Sequence, residues 1–162
     1  MSHIEGQFLT FILKGQVYGV PIESVQEINR MIEITEVPRT SDFVKGVINL
    51  RGKVIPVVDL RLKFGMAEAE LTRNSCIVVI EGDNGDIGII VDAVNSVTNF
   101  SAEQVQPPPS MGNDEHINFV IGMGKSDDRV VILVDIVSCL SKDNLSKVVQ
   151  VAPDDIPESE AA

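Results

Sequence analysis

Displaced by 69 positions, the chain lies over itself without gaps: FLTFILKGQVYGVPIESVQEI, residues 8–28, over IVVIEGDNGDIGIIVDAVNSV, residues 77–97. Gly19 meets Gly88, Ile22 meets Val91, Glu23 meets Asp92, Val25 meets Val94 and Ile28 meets Val97. A second block follows in the same order, KVIPVVDL (53–60) over RVVILVDI (129–136), with Asp59 over Asp135 and an offset of 76. Two ordered blocks that share glycine and aspartate positions mark an internal duplication, which restricts the chain to a fold built twice.

Each copy opens with a strand, a turn (Lys14-Gly15-Gln16; Gly82-Asp83-Asn84-Gly85) and a second strand. Ile22, Val25 and Ile28 then stand three apart, as do Val91, Val94 and Val97. That spacing predicts a short segment of helix with one buried face. The run GVINLRGKVIPVVDLRLKFG, residues 46–65, reads as a hairpin with strands near 44–50 and 54–58 around Arg51-Gly52-Lys53. Pro56 lacks an N–H and belongs at an edge or a bulge. Asp59 is placed to cap a short helix over 60–64, stopped by Gly65.

Many short strands, tight turns and duplicated halves predict a mainly β protein of two small barrels with short helices. The boundaries read as an N-terminal arm (1–7), a first barrel repeat (8–70), a second (71–147) and a tail (148–162). A half of roughly 60–70 residues is marginal as an independent core, so the halves are expected to pack on each other. QPPPS, residues 106–110, reads as a stiff surface loop. VAPDDIPESEAA carries four acids, two prolines and no base, the composition of a disordered tail.

Charge and chemistry narrow the function. A net charge of −11 argues against a nucleic-acid backbone as partner, and 4% aromatic residues with no Trp argue against base stacking. No apolar run approaches the roughly 20 residues that span a bilayer. The amino end shows no basic region leading into an apolar stretch, so a cytoplasmic protein without direct membrane insertion is expected. Cys76 and Cys139 then read as reduced, with Cys76 a buried structural thiol.

IGMGKSDDRVVILVD imitates a nucleotide site, yet Phe119 stands where a phosphate loop needs its first glycine. The repeat also places a strand, not a helix, after the lysine. His3 and His116 have no metal-ligand spacing to Cys or paired carboxylates, so no metal, cofactor or catalytic residue is assigned. A small-molecule or nucleotide enzyme on a β-barrel is the rival reading from another class, and it lacks acid/base and phosphate-binding groups.

YGVPIESVQEI (18–28), ITEVPRTSDFVKGVINLRGKVIPVVDLRLKFG (34–65), GIIVDAVNSV (88–97) and SAEQVQPPP (101–109) resemble the CheW family of bacterial chemotaxis coupling proteins. The resemblance runs from about Phe8 to Leu140. It implies two intertwined SH3-like five-stranded β-barrels and a non-catalytic adaptor joining the cytoplasmic tips of chemoreceptors to the CheA histidine kinase in membrane-associated arrays. By this resemblance the receptor-facing groove between the barrels falls on Val25, Glu27, Gly46, Arg51 and Val97. The kinase-facing positions fall on Gln106 and Met111, where the family pattern has a basic and an aromatic residue. Glu27 either holds Arg51 in place or faces the receptor beside it. A coupler in a pilus-motility or other chemosensory pathway is the nearer alternative. Titration calorimetry with ATP and with zinc is expected to show no saturable binding; stoichiometric micromolar uptake of either would refute the adaptor reading.

Overall fold

The computed structural model describes residues 5–36, 43–67, 70–82, 85–107, 119–126 and 128–141. The first copy runs through β1 (Gly6–Leu13), β2 (Gln16–Pro21), a 3₁₀ turn (Ile22–Ser24), β3 (Val25–Arg30), β4 (Val44–Leu50), β5 (Lys53–Asp59) and α1 (Leu60–Lys63). The second runs through β6 (Cys76–Gly82), β7 (Gly85–Val91), β8 (Ala93–Phe100), a 3₁₀ turn (Ala102–Gln104), β9 (Val105–Gln106), β10 (Val120–Ser126), β11 (Arg129–Val134) and α2 (Ile136–Ser141). The β4–β5 hairpin and the Asp59 cap are as expected from sequence: the Asp59 carboxylate accepts from the Arg61 N–H, and Gly65 follows with φ +80°.

The strands do not stay with their own copy. One sheet has the order β8-β1-β2-β11-β10-β9, the other β3-β6-β7-β5-β4. Each is therefore a hairpin from one copy completed by the remaining strands of the other. The chain passes between the sheets at two matching places, residues 22–24 and Asp92. The registers repeat the sequence offsets: Val25 faces Ile80 as Val94 faces Phe11, and the parallel pairs Val57↔Gly88 and Leu133↔Gly19 are equivalent.

Of the helices expected at 22–28 and 91–97 only the 3₁₀ turn at Ile22–Ser24 forms; the rest is bulged strand. β3 opposes Val25 to Ile80 and Ile28 to Val78, with a register shift between Val25 and Glu27. β8 repeats this at Val94 and Val97, opposite Phe11 and Leu9. One inserted residue turns the strand period of two into a spacing of three, which imitates a helix over so short a window.

Burial on both faces explains why the strands read as unbroken apolar runs. On β6, Ile77 and Val79 enter a cluster with Ile48, Leu50, Ile55, Val57 and Ile90, the interior of the five-stranded barrel. Val78 and Ile80 point the other way, into a larger cluster with Leu9, Phe11, Leu13 and Val20 of the six-stranded sheet. Phe8, Val17, Phe100, Val131 and Leu133 fill the second barrel. Lys63 Nζ stands 4.7 Å from the centre of the Phe43 ring and 5.9 Å from that of Phe119, two residues that match in the repeat.

Two sequence expectations change. Pro56 lies in an inner strand, opposite Val47. Val47 exchanges both backbone hydrogen bonds with Thr35 on its other side, and the ladder from β5 to β7 starts only at Val57. The missing N–H thus falls where no ladder bond is required. Cys76 is half-buried, not buried, and its thiol donates to the Asn74 carbonyl at 3.3 Å.

Tyr18, the single tyrosine of the chain, stacks on Phe11 at 6.1 Å and touches Phe64 at 5.6 Å. Burial pushes its phenol above the ordinary value of 10.0. The folded state favours the neutral phenol, so its contribution to stability is complete below the unfolded value and is lost as pH rises through the raised one. Spectroscopic titration of the phenolate is expected to show ionisation displaced upward in the native protein and returned to about pH 10 in denaturant; coincident curves would contradict this packing.

Candidate functional site

The β4–β5 turn is a two-residue loop, with Leu50 opposite Lys53 and positive φ at Arg51 (+53°) and Gly52 (+84°). This is the type I′ geometry that suits the strand twist, although a non-glycine residue at its first position is strained. Asn49, 5% exposed, braces it: its side-chain oxygen accepts the Gly52 N–H at 2.9 Å. The turn therefore fixes the backbone from which the Arg51 side chain projects.

Arg51 Nη2 meets Glu27 Oε1 at 2.7 Å. Glu27 belongs to β3 and Arg51 to the tip of β4, the two outer strands of the five-stranded sheet. A contact between opposite edges requires the sheet to be curled into a barrel, and the ion pair lies across its mouth. Lys53 Nζ and Asp86 Oδ2 form a second pair at 2.8 Å. Together with Gln26, Leu50, Ile55 and Val79 these residues line a depression of ≈ 310 Å³. Leu50, Ile55 and Val79 are also members of the barrel interior, so the depression is an apolar floor rimmed by two charge pairs.

The residues expected to meet a receptor divide between two places. Glu27 and Arg51 come together at the barrel mouth, and the alternative of Glu27 holding Arg51 is the one observed. Val25 and Val97 lie on the other face of their strands, opposite Ile80 and Leu9 of the shared core. Val25 is half-buried and Val97 is 51% exposed, on separate sheets that both turn this face toward the inter-barrel core. Gly46 is buried with φ +147°, and a Cβ there would run into the Thr35 carbonyl. Its role is to let that segment cross β4 closely. Gln106 is exposed on β9, at the opposite edge of the six-stranded sheet from β8. Met111 lies outside the described residues.

Sequence reading missed two groups of charges. Lys53 was read as part of a turn, and its partner Asp86 was not singled out. More consequential is Arg61, 2% exposed and the largest fully buried side chain. Its Nε and Nη2 reach the Asp59 carboxylate at 3.3 and 3.2 Å, and its Nη1 reaches Asp92 Oδ1 at 3.3 Å. Asp92 Oδ2 in turn accepts the Lys14 N–H at 2.8 Å. The available signal was an Asp-Leu-Arg triplet closing an apolar strand, where Arg61 is the one long cation next to buried positions.

The profile of the CheW-like domain matches residues 7–159. The chain belongs to the CheW-like domain family. A chemotaxis protein CheW from Klebsiella aerogenes is 37% identical over 146 residues, covering 90% of this chain and 88% of that protein. The Helicobacter pylori chemotaxis protein CheW is 33% identical over 137 residues, with 85% and 82% covered. Protein FrzA of Myxococcus xanthus is 29% identical over 151 residues. The crystal structure of the scaffolding protein TtCheW from Thermoanaerobacter tengcongensis superposes with a TM-score of 0.77 at 34% identity, covering 85% of this chain and 94% of that one. This CheW-like chain thus has the two barrels that the resemblance implies, one sheet with the expected five strands and the other with six, the two-residue β9 being the addition at its edge. Among the described residues no group of three His, Cys, Asp or Glu is placed to hold a metal ion, and no helix is long and apolar enough to cross a membrane.

The Arg51 and Glu27 side chains are 71% and 29% exposed, so their pair contributes little to stability, about 0.2–1 kcal/mol. A double-mutant cycle with Arg51→Ala and Glu27→Ala, read by urea unfolding, is expected to return a coupling in that range. A much larger value would make the pair a structural element of the barrel.

Proposed function

We propose that this protein is a non-catalytic adaptor that couples chemoreceptors to the CheA histidine kinase in a signalling array and so controls kinase activity. The observation that carries the reading is the Glu27–Arg51 pair of a CheW-family chain. It is mostly exposed, held by a braced turn, and too weak to be needed for folding. A planar guanidinium presented in this way offers several donors in one plane, suited to carboxylates or carbonyls on a receptor helix tip. Val25 and Val97, on the inter-barrel faces, supply apolar surface for the same helix. Gln106 and Met111 remain the proposed kinase-facing positions. The kinase's regulatory domain, also a double barrel in this family, is the proposed partner there.

Such a protein works in the cytoplasm, beside the membrane that holds the receptors, and needs no cofactor. The chain is similar both to chemotaxis proteins named CheW and to a protein named FrzA, and this similarity does not by itself choose between chemotaxis and a related chemosensory pathway. Arg51→Ala is expected to leave thermal stability and kinase affinity near wild type. Receptor-dependent kinase activation should fall about tenfold or more, as for loss of one charge-assisted hydrogen bond. Unchanged activation, or a loss of stability and every activity together, would make Arg51 a structural residue.

A further inference from the structure

The duplication makes two crossings between the barrels, and among the described residues a guanidinium is seen at one of them. At the first, residues 22–24, the residue matching Asp92 is Glu23, which is exposed. The residue matching Arg61 at the second copy's helix is Val137, half-buried against the shared core. At the other crossing Arg61 ties Asp59, at the end of β5, to Asp92, where the chain leaves β7 for β8. Asp92 then holds the amide of Lys14, in the β1–β2 turn of the six-stranded barrel. The network therefore starts in one barrel and ends in the other.

Stability alone does not account for it. Burying an ion pair costs desolvation that the attraction often fails to recover, and apolar residues of similar volume frequently serve as well or better. Val137 shows an apolar, smaller residue in the matching place. What a forked, bidentate group adds is direction. Apolar contact holds two surfaces together without fixing how they slide, whereas a hydrogen-bonded network has one geometry.

We propose that Arg61 is a positioning residue: through Asp92 it fixes the orientation of the two barrels at one crossing, and receptor coupling depends on that orientation. The functional half of this inference rests on the adaptor reading; the geometric half does not. Asp92→Ala removes the arm that reaches the second barrel while leaving the buried Asp59–Arg61 pair and the Asp92 N–H bond to the Ile12 carbonyl intact. Arg61→Lys keeps a cation for Asp59 but has no fork to span both carboxylates. Glu23→Ala at the matching crossing is the control.

Residual dipolar couplings of the backbone amides, fitted separately for the two sheets, report their relative orientation directly. In the wild type and in Glu23→Ala, both sheets should share one alignment tensor. In Asp92→Ala and Arg61→Lys the tensors should diverge, and the Lys14 amide should exchange about tenfold faster. Receptor-dependent kinase activation should fall in step, with thermal stability close to wild type. A single shared tensor in both variants overturns the proposal, as does a diverged tensor with full activation. A wild type that fails to activate kinase would refute the adaptor reading, and the tensors would still decide the role of Arg61.

Discussion

The exchanged ladders β1–β8 and β3–β6 constrain everything else in this fold. Because each barrel borrows strands from the other copy, neither copy closes alone. Every central strand must be apolar on both faces, one toward its own barrel and one toward its neighbour. That is why Val78 and Ile80 fill the shared cluster while Ile77 and Val79 fill the barrel between them. Separating the two copies would break backbone ladders as well as apolar contact, so they fold as one unit despite the small size of each half.

With both sheets engaged in this way, polar chemistry is pushed to barrel ends and crossings. The mouth of the five-stranded barrel carries Glu27, Arg51, Lys53 and Asp86, and the crossing at Asp92 carries Arg61. These two sets differ physically. The mouth is exposed, adjustable and inexpensive to alter. The crossing is less forgiving at its buried pair: removing Asp59 or Arg61 outright leaves an unpaired charge, a cost of about 3–5 kcal/mol, whereas the partly exposed Asp92 can be lost with that pair intact. A protein whose contribution to an assembly is geometric needs both, a surface to present and a frame that keeps it aimed.

Much of this was legible in the chain. The duplication, the β4–β5 hairpin and the Asp59 cap depend on local residue types and show directly. Three features did not, each for its own reason. The bulges at Val25 and Val94 gave strands the spacing of a helix. The exchange of strands came only from the family resemblance, because an apolar pattern states that a strand is buried, not which strand lies beside it. Arg61 was overlooked because its importance comes from Asp92, distant in sequence and brought close only by the crossing. Arg51 and Glu27, also far apart in sequence, were singled out only by family resemblance, and their pairing stayed open until their separation was known.

The parallel pairing of β2 with β11 has a consequence for the growing chain. Tyr18 and Gly19 find their neighbours in Ile132 and Leu133, which are synthesised more than a hundred residues later. At about 5–20 residues per second, the first hairpin waits on the order of ten seconds for the strand that covers it. During that interval Phe8, Leu9, Phe11 and Val17, all buried in the finished protein, lie open on the nascent chain. The interlocking that makes the mature molecule hard to take apart also leaves its first hairpin dependent on protection until the strand at 129–134 has been made.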